Sequence, residues 1–333
     1  MLGGVPSIFY LDQLTSDQWL LRLAQKEADG WSFSTVYAGS SAAFPGWADV
    51  AVSGSEAYVG VSLRDGFGNG IGVAVLSFDG NAWVTEYERI DHSAPHLGRS
   101  LAMTMTDQGP AAAYIGPYDD EVSFLEKQGA TWTESPAIIK WMTPQIDECD
   151  IACIDGTPLI LLAKGGGSPQ NYYASRDQQG DWVCTPVPGT YFAKLIDYDG
   201  TPAHWDKSFR WFDGSSWHQE VVPGYETRSQ CLAMIGDAPA LSFVEVGNTM
   251  DDSALRLATR GATGWDDSVI DAPVYNYWAG ATSVFEVGNA VAVAYVADNE
   301  QIGPTLRYAV IPDPATLALL GLGGLALMRR RRR

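Results

Sequence analysis

Carboxylates are the most frequent side chains in this sequence that could do chemistry, with 40 Asp and Glu among 333 residues. They gather in short polar segments, notably 119–121, 147–150 and 251–252. Converging carboxylates can hold Ca²⁺, which takes six or more oxygen ligands, or can serve as the acid and base of a glycosidase. The sequence contains no D-x-[DN]-x-[DN]-G loop. We therefore interpret these segments as solvated acidic surface and expect no cofactor, with Ca²⁺ binding as an alternative.

Histidines and cysteines give little support for a metal site. His92 and His96 stand four residues apart, but His204 and His218 are far along the chain, so the first two are interpreted as surface residues. No C-x-x-C pair occurs, and two cysteines four residues apart on one strand would be roughly 13 Å from each other, too far to bridge. Buried free thiols are the favoured interpretation, with one cross-strand disulfide as the alternative, for Cys149, Cys153, Cys184 and Cys231.

Net charge distinguishes the body of the chain from its end. The formal net charge is −19, but the segment from Ile311 onward holds five of the 21 basic residues and one of the 40 acidic ones. The body alone therefore carries a formal net charge of −23. A body so acidic repels phosphate backbones, which argues against nucleic-acid binding.

A repeat of about 48 residues predicts the elements that must position these side chains. Each unit has an apolar run, a Gly followed by a short apolar strand such as "GSEAYVGVSLRD" (54–65), a further strand such as "VAVLSFDG" (73–80), and a Trp shortly after a Gly. Four short strands per unit are typical of a β-propeller blade. The Trp residue is predicted to begin the outer strand and to pack blade on blade. These residues, at spacings of 52, 49, 50, 35 and 48, are Trp31, Trp83, Trp132, Trp182, Trp217 and Trp265.

Seven units are visible, so residues 1–310 are predicted to form one all-β propeller domain of seven four-stranded blades, with six as the alternative. The first unit begins at its second strand and the last stops after its third, at "TLRYAV". The segments "FDGNAW" (78–83) and "FDGSSW" (212–217) predict tight turns in which Gly takes a positive φ. The repeat resembles the loosely conserved propeller repeats of bacterial envelope proteins, which specify a fold and not an activity.

Motifs of known enzymes are missing from this body. No G-x-S-x-G, H-E-x-x-H or phosphate-binding loop occurs. The Asp-box of propeller sialidases, S-x-D-x-G-x-x-W, places Asp five residues before Trp, where this sequence has Phe78 and Phe212. We therefore predict a non-enzymatic binding or scaffold module, with a glycosidase-like or sialidase-like propeller enzyme as the alternative.

Aromatic residues outside the repeat are the candidates for binding a ligand by stacking on sugar rings. They fall on the predicted connections between blades, where ordinary packing at the rim is the competing interpretation. These residues are Trp141, Tyr191, Tyr225, Tyr275, Tyr277 and Trp278.

The C-terminal segment has the composition of a membrane-targeting signal. Residues 315–328 carry no charge, and as a helix they would span roughly 21 Å, short of the roughly 30 Å hydrocarbon core. Flanking residues and arginine stems extend that length to a marginal span. The closing run of five arginines, Arg329, Arg330, Arg331, Arg332 and Arg333, would hold this end in the cytoplasm and leave the body outside.

This ending resembles the PEP-CTERM sorting signal, which consists of a Pro-Glu-Pro-like motif, a short apolar helix and a terminal Arg cluster. Pro312, Asp313 and Pro314 occupy the motif's place, with Asp where the family usually has Glu, and 329–333 are the stop. The resemblance implies export by a Gram-negative bacterium, transient anchoring in the inner membrane, and processing by a membrane-embedded exosortase. It also implies delivery to the envelope or an exopolysaccharide matrix. Because "MLGGVPSIFY" has no basic and apolar leader, we expect the natural start to lie upstream.

Overall fold

The computed structural model describes residues 1–15, 18–40, 42–118, 121–138, 146–164, 170–189, 194–222, 227–245, 253–272, 274, 282–288, 290–299 and 303–312. All regular structure in these residues is β-strand. The chain divides into two compact units, Met1–Glu220 and Val221–Arg333. The short helix predicted near the C-terminus lies outside the described residues. Within the described part of the chain, no helix has the length and hydropathy needed to cross a membrane.

Five sheets make up the first unit, and each is built from strands in chain order. The first contains β1 (Ser7–Thr15), β2 (Gln18–Glu27) and β3 (Gly30–Ala38). The second contains β4 (Phe44–Ser53), β5 (Glu56–Arg64), β6 (Gly70–Phe78) and β7 (Trp83–Ile90), and β8 (His96–Leu97) pairs with β6 in parallel. The third contains β9 (Leu101–Thr106), β10 (Gly109–Ile115), β11 (Val122–Gln128) and β12 (Thr131–Ile138). The fourth contains β13 (Ile146–Ile154), β14 (Thr157–Lys164), β15 (Gln170–Arg176) and β16 (Trp182–Val187). The fifth contains β17 (Lys194–Tyr198), β18 (Thr201–Trp205), β19 (Phe209–Phe212) and β20 (Trp217–Glu220).

Two further sheets make up the second unit. The sixth contains β21 (Thr227–Ile235), β22 (Ala238–Glu245), β23 (Ala254–Gly261) and β24 (Gly264–Asp271), and the seventh contains β25 (Thr282–Val287), β26 (Ala290–Asn299) and β27 (Gly303–Pro312). Consecutive strands pair antiparallel throughout. The fold is the predicted seven-bladed β-propeller. As predicted, the described strands of the first blade lack the inner strand and those of the last lack the outer one.

Tight hairpins form where the sequence predicted them. Strand β6 ends at Phe78 and β7 begins at Trp83, and Gly80 between them has φ +98°. The carboxylate of Asp79 accepts hydrogen bonds at 2.8 Å from the backbone N–H groups of Asn81 and Ala82. A side chain that satisfies the turn's own backbone donors fixes the hairpin, because Asp favours this local bonding over a ladder position.

The repeated tryptophans join neighbouring blades in the first unit, as predicted. Trp83 begins the outer strand of the second blade and meets Phe9 of the first edge-on, with ring centroids 5.5 Å apart. Trp132 of the third blade meets Tyr58 of the second at 6.2 Å, and Trp182 of the fourth meets Phe124 of the third at 5.0 Å. The apolar core accordingly lies between sheets, since each buried cluster draws on two consecutive blades.

Candidate functional site

The aromatic residues predicted to stack on a ligand all lie outside the described residues: Trp141, Tyr191, Tyr225, Tyr275, Tyr277 and Trp278. Of the sorting motif, Pro312 ends β27, while Asp313, Pro314 and the five arginines also lie outside. The interpretation of the acidic segment 147–150 as solvated surface was wrong. This segment belongs to β13, where the apolar run of "DIACID" continues the strand, and the side chain of Asp150 is buried.

The histidines and cysteines do not assemble a centre. Within the described ranges, no group of three or more His, Cys, Asp or Glu side chains could hold a metal ion. His92 is exposed, whereas His204 is buried, with Nδ1 2.8 Å from the Tyr173 hydroxyl, and burial lowers its pKa to about 4. None of the four cysteines forms a disulfide, and burial raises the pKa of the Cys149 thiol to about 12, so this thiol is unreactive near neutral pH.

A cavity of about 330 Å³ opens on the third blade, facing the second. It is lined by Glu121, immediately before β11, by Ser123 near the start of β11, and by Glu134, Ser135 and Pro136 near the end of β12. The paired strands β11 and β12 hold these residues side by side, because Ser123 is the register partner of Pro136. The cavity therefore sits on regular strands, which fix the directions of its polar groups more firmly than a loop does.

Glu134 is the polar centre of this cavity. Its carboxylate pairs with the guanidinium of Arg89 on β7 of the second blade, and it accepts hydrogen bonds from the hydroxyls of Tyr87 at 2.8 Å and Ser123 at 3.0 Å. Burial raises its pKa, but these bonds, the adjacent Tyr114 hydroxyl and the charge of Arg89 outweigh that effect, so the pKa lies below its usual value. Glu134 is consequently an ionised acceptor at neutral pH.

Tyr114 of β10 brings a buried hydroxyl to the same place. Its side chain is 0% exposed, and its register partner across the ladder is Ser123, so the two side chains share one face of the sheet. The hydroxyl lies against the Glu134 carboxylate, the Tyr87 hydroxyl and the Arg89 guanidinium, and burial together with Glu134 raises its pKa well above the usual value. It is therefore part of the polar contact between the two blades.

A second polar cluster connects the second and third blades. Glu86 of β7 accepts hydrogen bonds from Lys127 at 2.6 Å, from the indole of Trp132 at 2.9 Å and from the hydroxyl of Ser77 at 2.6 Å. The ammonium of Lys127 also lies 4.9 Å from the ring centroid of Tyr58. These hydrogen bonds engage both oxygens of the Glu86 carboxylate, so we interpret this cluster as a structural contact between the blades.

Two exposed aromatic residues stand at the end of the blades where the cavity opens. Phe67, 93% exposed, is at the tip of the β5–β6 loop, and Tyr118, 59% exposed, is in the β10–β11 loop. Asp65 holds the first loop, because its carboxylate accepts hydrogen bonds from the backbone N–H groups of Phe67 and Asn69, both at 2.9 Å. The connecting segment of β8 links the two blades between these loops, with Gly98 donating to the carbonyl of Ile115 at 2.8 Å.

A related contact occurs in the second unit. There Asp271 of β24 accepts hydrogen bonds from the hydroxyl of Tyr295 at 2.8 Å and from Arg307 at 2.6 Å. Tyr295 has the same place in its blade as Tyr114. Tyrosine and charge across a blade boundary are thus a recurring structural contact, and the cavity beside Glu134 is what distinguishes the contact in the first unit.

Sequence reasoning missed this site. Arg89 and Glu134 are 45 residues apart and belong to different blades, so no local motif connects them. The exposure of Phe67 could have been predicted from the sequence. In "RDGFGNG" it stands between glycines with no apolar neighbours, a pattern typical of a loop and not of a buried strand. Tyr118 and Glu121 fell in the acidic loop that was interpreted as solvated surface.

Comparison with known proteins gives one sequence match, and it concerns the tail. The PEP-CTERM protein-sorting motif matches residues 310–333. Such a signal marks an exported protein that is transiently anchored in the membrane and processed by an exosortase. No curated protein matches the chain.

Solved structures share the fold at low identity. A mutant of AofleA from Arthrobotrys oligospora is 13% identical, with a TM-score of 0.52, over 79% of this chain and 82% of that one. The Trypanosoma rangeli sialidase in complex with sialic acid is 12% identical, with a TM-score of 0.50, over 96% of this chain and 54% of that one. An Aleuria aurantia lectin mutant in complex with Fucα1-6GlcNAc is 12% identical, with a TM-score of 0.49, over 80% of this chain and 95% of that one.

At such identities the AofleA mutant and the sialidase show the fold alone. Fold and tail together give the identity of the molecule: a seven-bladed β-propeller that carries a PEP-CTERM protein-sorting motif at its C-terminal end.

Proposed function

We propose that the exported propeller is a non-enzymatic module that binds glycans of the cell envelope or of an extracellular matrix. The single observation that carries this proposal is the cavity at Glu134, which combines an ionised acceptor with serine hydroxyls and has the guanidinium of Arg89 beside it. Sugars offer vicinal hydroxyls that both donate and accept, so they match a site with fixed acceptors and donors. Exported matrix components are the glycans that such a protein would meet.

An enzyme is the alternative, because Glu121 and Glu134 line one cavity as a carboxylate pair could. A glycosidase acid needs a pKa raised toward neutrality, whereas hydrogen bonds and Arg89 hold the pKa of Glu134 low. Glu134 is therefore suited to accept hydrogen bonds from a bound sugar and unsuited to protonate a leaving group. This observation favours binding.

A glycan array probed with the full chain in mild detergent, combined with a glycosidase assay on every retained glycan, tests the proposal. Retention without turnover is the expected result, and Glu134→Gln should weaken retention by about 10-fold or more because Arg89 loses its charged partner and the sugar its acceptor. Glu88→Gln is the matched control, since Glu88 lies on β7 next to Arg89 and, among the described residues, accepts a hydrogen bond from the hydroxyl of Tyr37 and not from the groups around the cavity. Turnover of a retained glycan would overturn the non-enzymatic role.

A further inference from the structure

Arg64, the last residue of β5, is a half-buried cation without a carboxylate partner. Among the residues that the structure describes, its guanidinium makes no ion pair or hydrogen bond, and its Nε atom is buried. Arg22 and Arg176 also leave Nε unpaired, but a terminal nitrogen of each holds a carboxylate at 3.0 Å. Several further arginines of this acidic chain pair with Asp or Glu, namely Arg89, Arg210, Arg256 and Arg307. A partly desolvated charge without a counter-ion is unfavourable, so Arg64 is available to an anion from outside the chain.

A second arginine reaches the same place from the connection between the second and third blades. Arg64 is the register partner of Gly70 on β6, and a Cβ atom at Gly70 would lie 3.0 Å from the backbone nitrogen of Arg99. Burial lowers the pKa of Arg64, and the positive charge of Arg99 lowers it further. The guanidinium of Arg99 lies 3.8 Å from the carboxylate of Asp147, too far for a hydrogen bond of normal length. Glu148 also interacts with Arg99, but burial raises its pKa to about 7, so it is only partly ionised at neutral pH.

The strands around Arg64 hold its side chain in this position. Side chains alternate along β5, and Val61 and Leu63 pack with the first blade, so Arg64 and Ser62 face the third. The hydroxyl of Ser62 is buried too, and it makes no hydrogen bond with the described residues. Strand β4 bulges at Gly46, where a Cβ atom would overlap the Cγ, Cδ and Nε atoms of Arg64. Bulges are frequent beside functional sites because they re-aim a side chain, and here the bulge makes room for the arginine stem.

We propose that Arg64 and Arg99 form an oxyanion-binding site at the end of the second blade, where a carboxylate, sulfate or phosphate group accepts hydrogen bonds from both guanidinium groups. The planar guanidinium matches such groups because it offers two parallel N–H donors. The body's formal net charge of −23 opposes anions at long range, so recognition depends on these short-range bonds. The site uses no residue of the cavity at Glu134, and it does not rest on the proposed function.

The Nε–H resonance of Arg64 in ¹H–¹⁵N spectra of the arginine-labelled full chain gives a direct readout. Sodium sulfate is titrated in parallel with sodium chloride at equal ionic strength, and Arg64→Gln assigns the resonance. We expect this resonance to shift and to saturate with sulfate alone, while that of Arg22, which is paired with Asp12, stays in place. No shift of the Arg64 resonance, or an equal and unsaturated shift of both resonances, would overturn the site.

Melting temperatures in sulfate separate specific binding from a general salt effect. Sulfate stabilises folded proteins because it is excluded from their surfaces, so the additional rise of the native chain over Arg64→Gln measures binding at the site. We expect Arg64→Gln to lower the sulfate affinity by at least about 10-fold, and its free energy of unfolding without sulfate to stay equal or to rise. Arg22→Gln removes a paired guanidinium of the first blade and should keep the native response to sulfate. Equal rises in the native chain and Arg64→Gln would refute the site.

Gly46→Ala tests the position of Arg64 without changing any charge. Gly46 does not have a positive φ, so the added methyl group acts through its overlap with the arginine stem. We expect sulfate affinity to fall in this variant as it does in Arg64→Gln. Gly261→Ala is the control, because a Cβ atom there would come no closer than 3.4 Å to its neighbours. Native sulfate affinity in Gly46→Ala would refute the role of the bulge in placing the guanidinium.

The oxyanion has two possible sources, an acidic sugar of a glycan or a free inorganic anion. Acetate, inorganic phosphate and hexagalacturonate, compared at equal concentrations of anionic groups, distinguish them. If the hexamer binds about 10-fold or more tightly than acetate and loses this advantage in Arg64→Gln, the source is an acidic glycan. If phosphate binds as tightly as the hexamer, with the same dependence on Arg64, the source is a free anion. Binding of all three probes that is unchanged in Arg64→Gln would refute the site. Because sulfate and phosphate are not glycans, a glycan array without any retained ligand would refute the proposed function and leave this site standing.

Discussion

The carboxylate of Asp150 on the inner strand of the fourth blade accepts a hydrogen bond from the backbone N–H of Leu195 on the inner strand of the fifth, at 2.7 Å. The same position of the second blade holds Asp49, which accepts from the N–H of Met103 in the third blade at 2.8 Å. An inner strand has no further strand on its own sheet, so these carboxylates satisfy backbone donors that the neighbouring blade exposes. They connect blade to blade within the first unit.

Two substitutions separate the role of Asp150 as a hydrogen-bond acceptor from the effect of its buried charge. Asp150→Ala leaves the N–H of Leu195 buried and unpaired, so we expect the free energy of unfolding to fall by about 1–3 kcal/mol. Asp150→Asn keeps an acceptor and removes a buried charge whose cationic partner among the described residues is Lys194 at 3.5 Å, so it should cost far less. Urea denaturation at neutral pH measures both, with Asp29→Ala in an exposed turn as the control. Equal losses in the Ala and Asn variants would contradict the role as an acceptor.

The free energy of unfolding should also decline as pH rises toward about 7, mainly because of Glu148. Burial raises its pKa to about 7, helped by Asp150 and Asp147 and opposed by Lys194 and Arg99. The folded pKa lies above the unfolded value of about 4.3, so between these two values the unfolded state has lost its proton and the folded state still holds it. The free energy of unfolding therefore falls as pH rises from about 4 to about 7 and levels off above the folded pKa. Asp150, whose pKa burial also raises, adds a slope of the same sign.

Thermal melts at a series of pH values between about 5 and 8 check this. Glu148→Gln should flatten the decline in melting temperature and leave the smaller slope that belongs to Asp150. A decline of unchanged size in Glu148→Gln would assign the pH dependence to other groups.

Much of the fold was predictable because the blades repeat. Trp83 and Trp132 recur at a fixed place in their units, so their packing between blades was open to inference, and the Asp-Gly turn at Asp79 follows from local chemistry. The site was not predictable, because Arg89 and Glu134 meet only when two blades are stacked and neither residue repeats. The burial of His204 could not be predicted for the same reason, because it depends on contact with Tyr173 of another blade.

Order in the β5–β6 loop should matter for binding and not for folding. Asp65 ties this exposed loop with hydrogen bonds to two backbone N–H groups and to the amide of Asn69, and these bonds lower its pKa. Asp65→Ala should therefore speed amide hydrogen exchange at Phe67 and Asn69, weaken binding of a glycan retained on the array and leave the melting temperature within error. Asp79→Ala disturbs an equivalent turn at the opposite end of the same blade and is the control. Weaker binding in both variants would point to a general effect on the second blade.

Processing should depend on the carboxylate between the two prolines of the sorting motif. Strand β27 runs to Pro312, whose register partner is Ala290, so the motif begins where the last blade ends and no spacer separates them. The prolines fix φ on both sides of Asp313 and favour an extended segment that a processing enzyme can grip. In the native host, Asp313→Ala should therefore accumulate as unprocessed protein in the membrane fraction.

Asp313→Glu restores the residue that is usual in such motifs and should be processed at least as well as the native chain. Immunoblots of membrane and medium fractions measure both variants, with Asp29→Ala as a control that removes an equal charge from the body and with deletion of 312–333 as the fully unprocessed reference. Ala removes the charge, whereas Glu keeps it and only lengthens the side chain by one methylene. Loss of processing in Asp313→Ala together with normal processing in Asp313→Glu would therefore show that the enzyme recognises the carboxylate. Normal processing of Asp313→Ala would show instead that the prolines, the apolar segment and the arginines suffice.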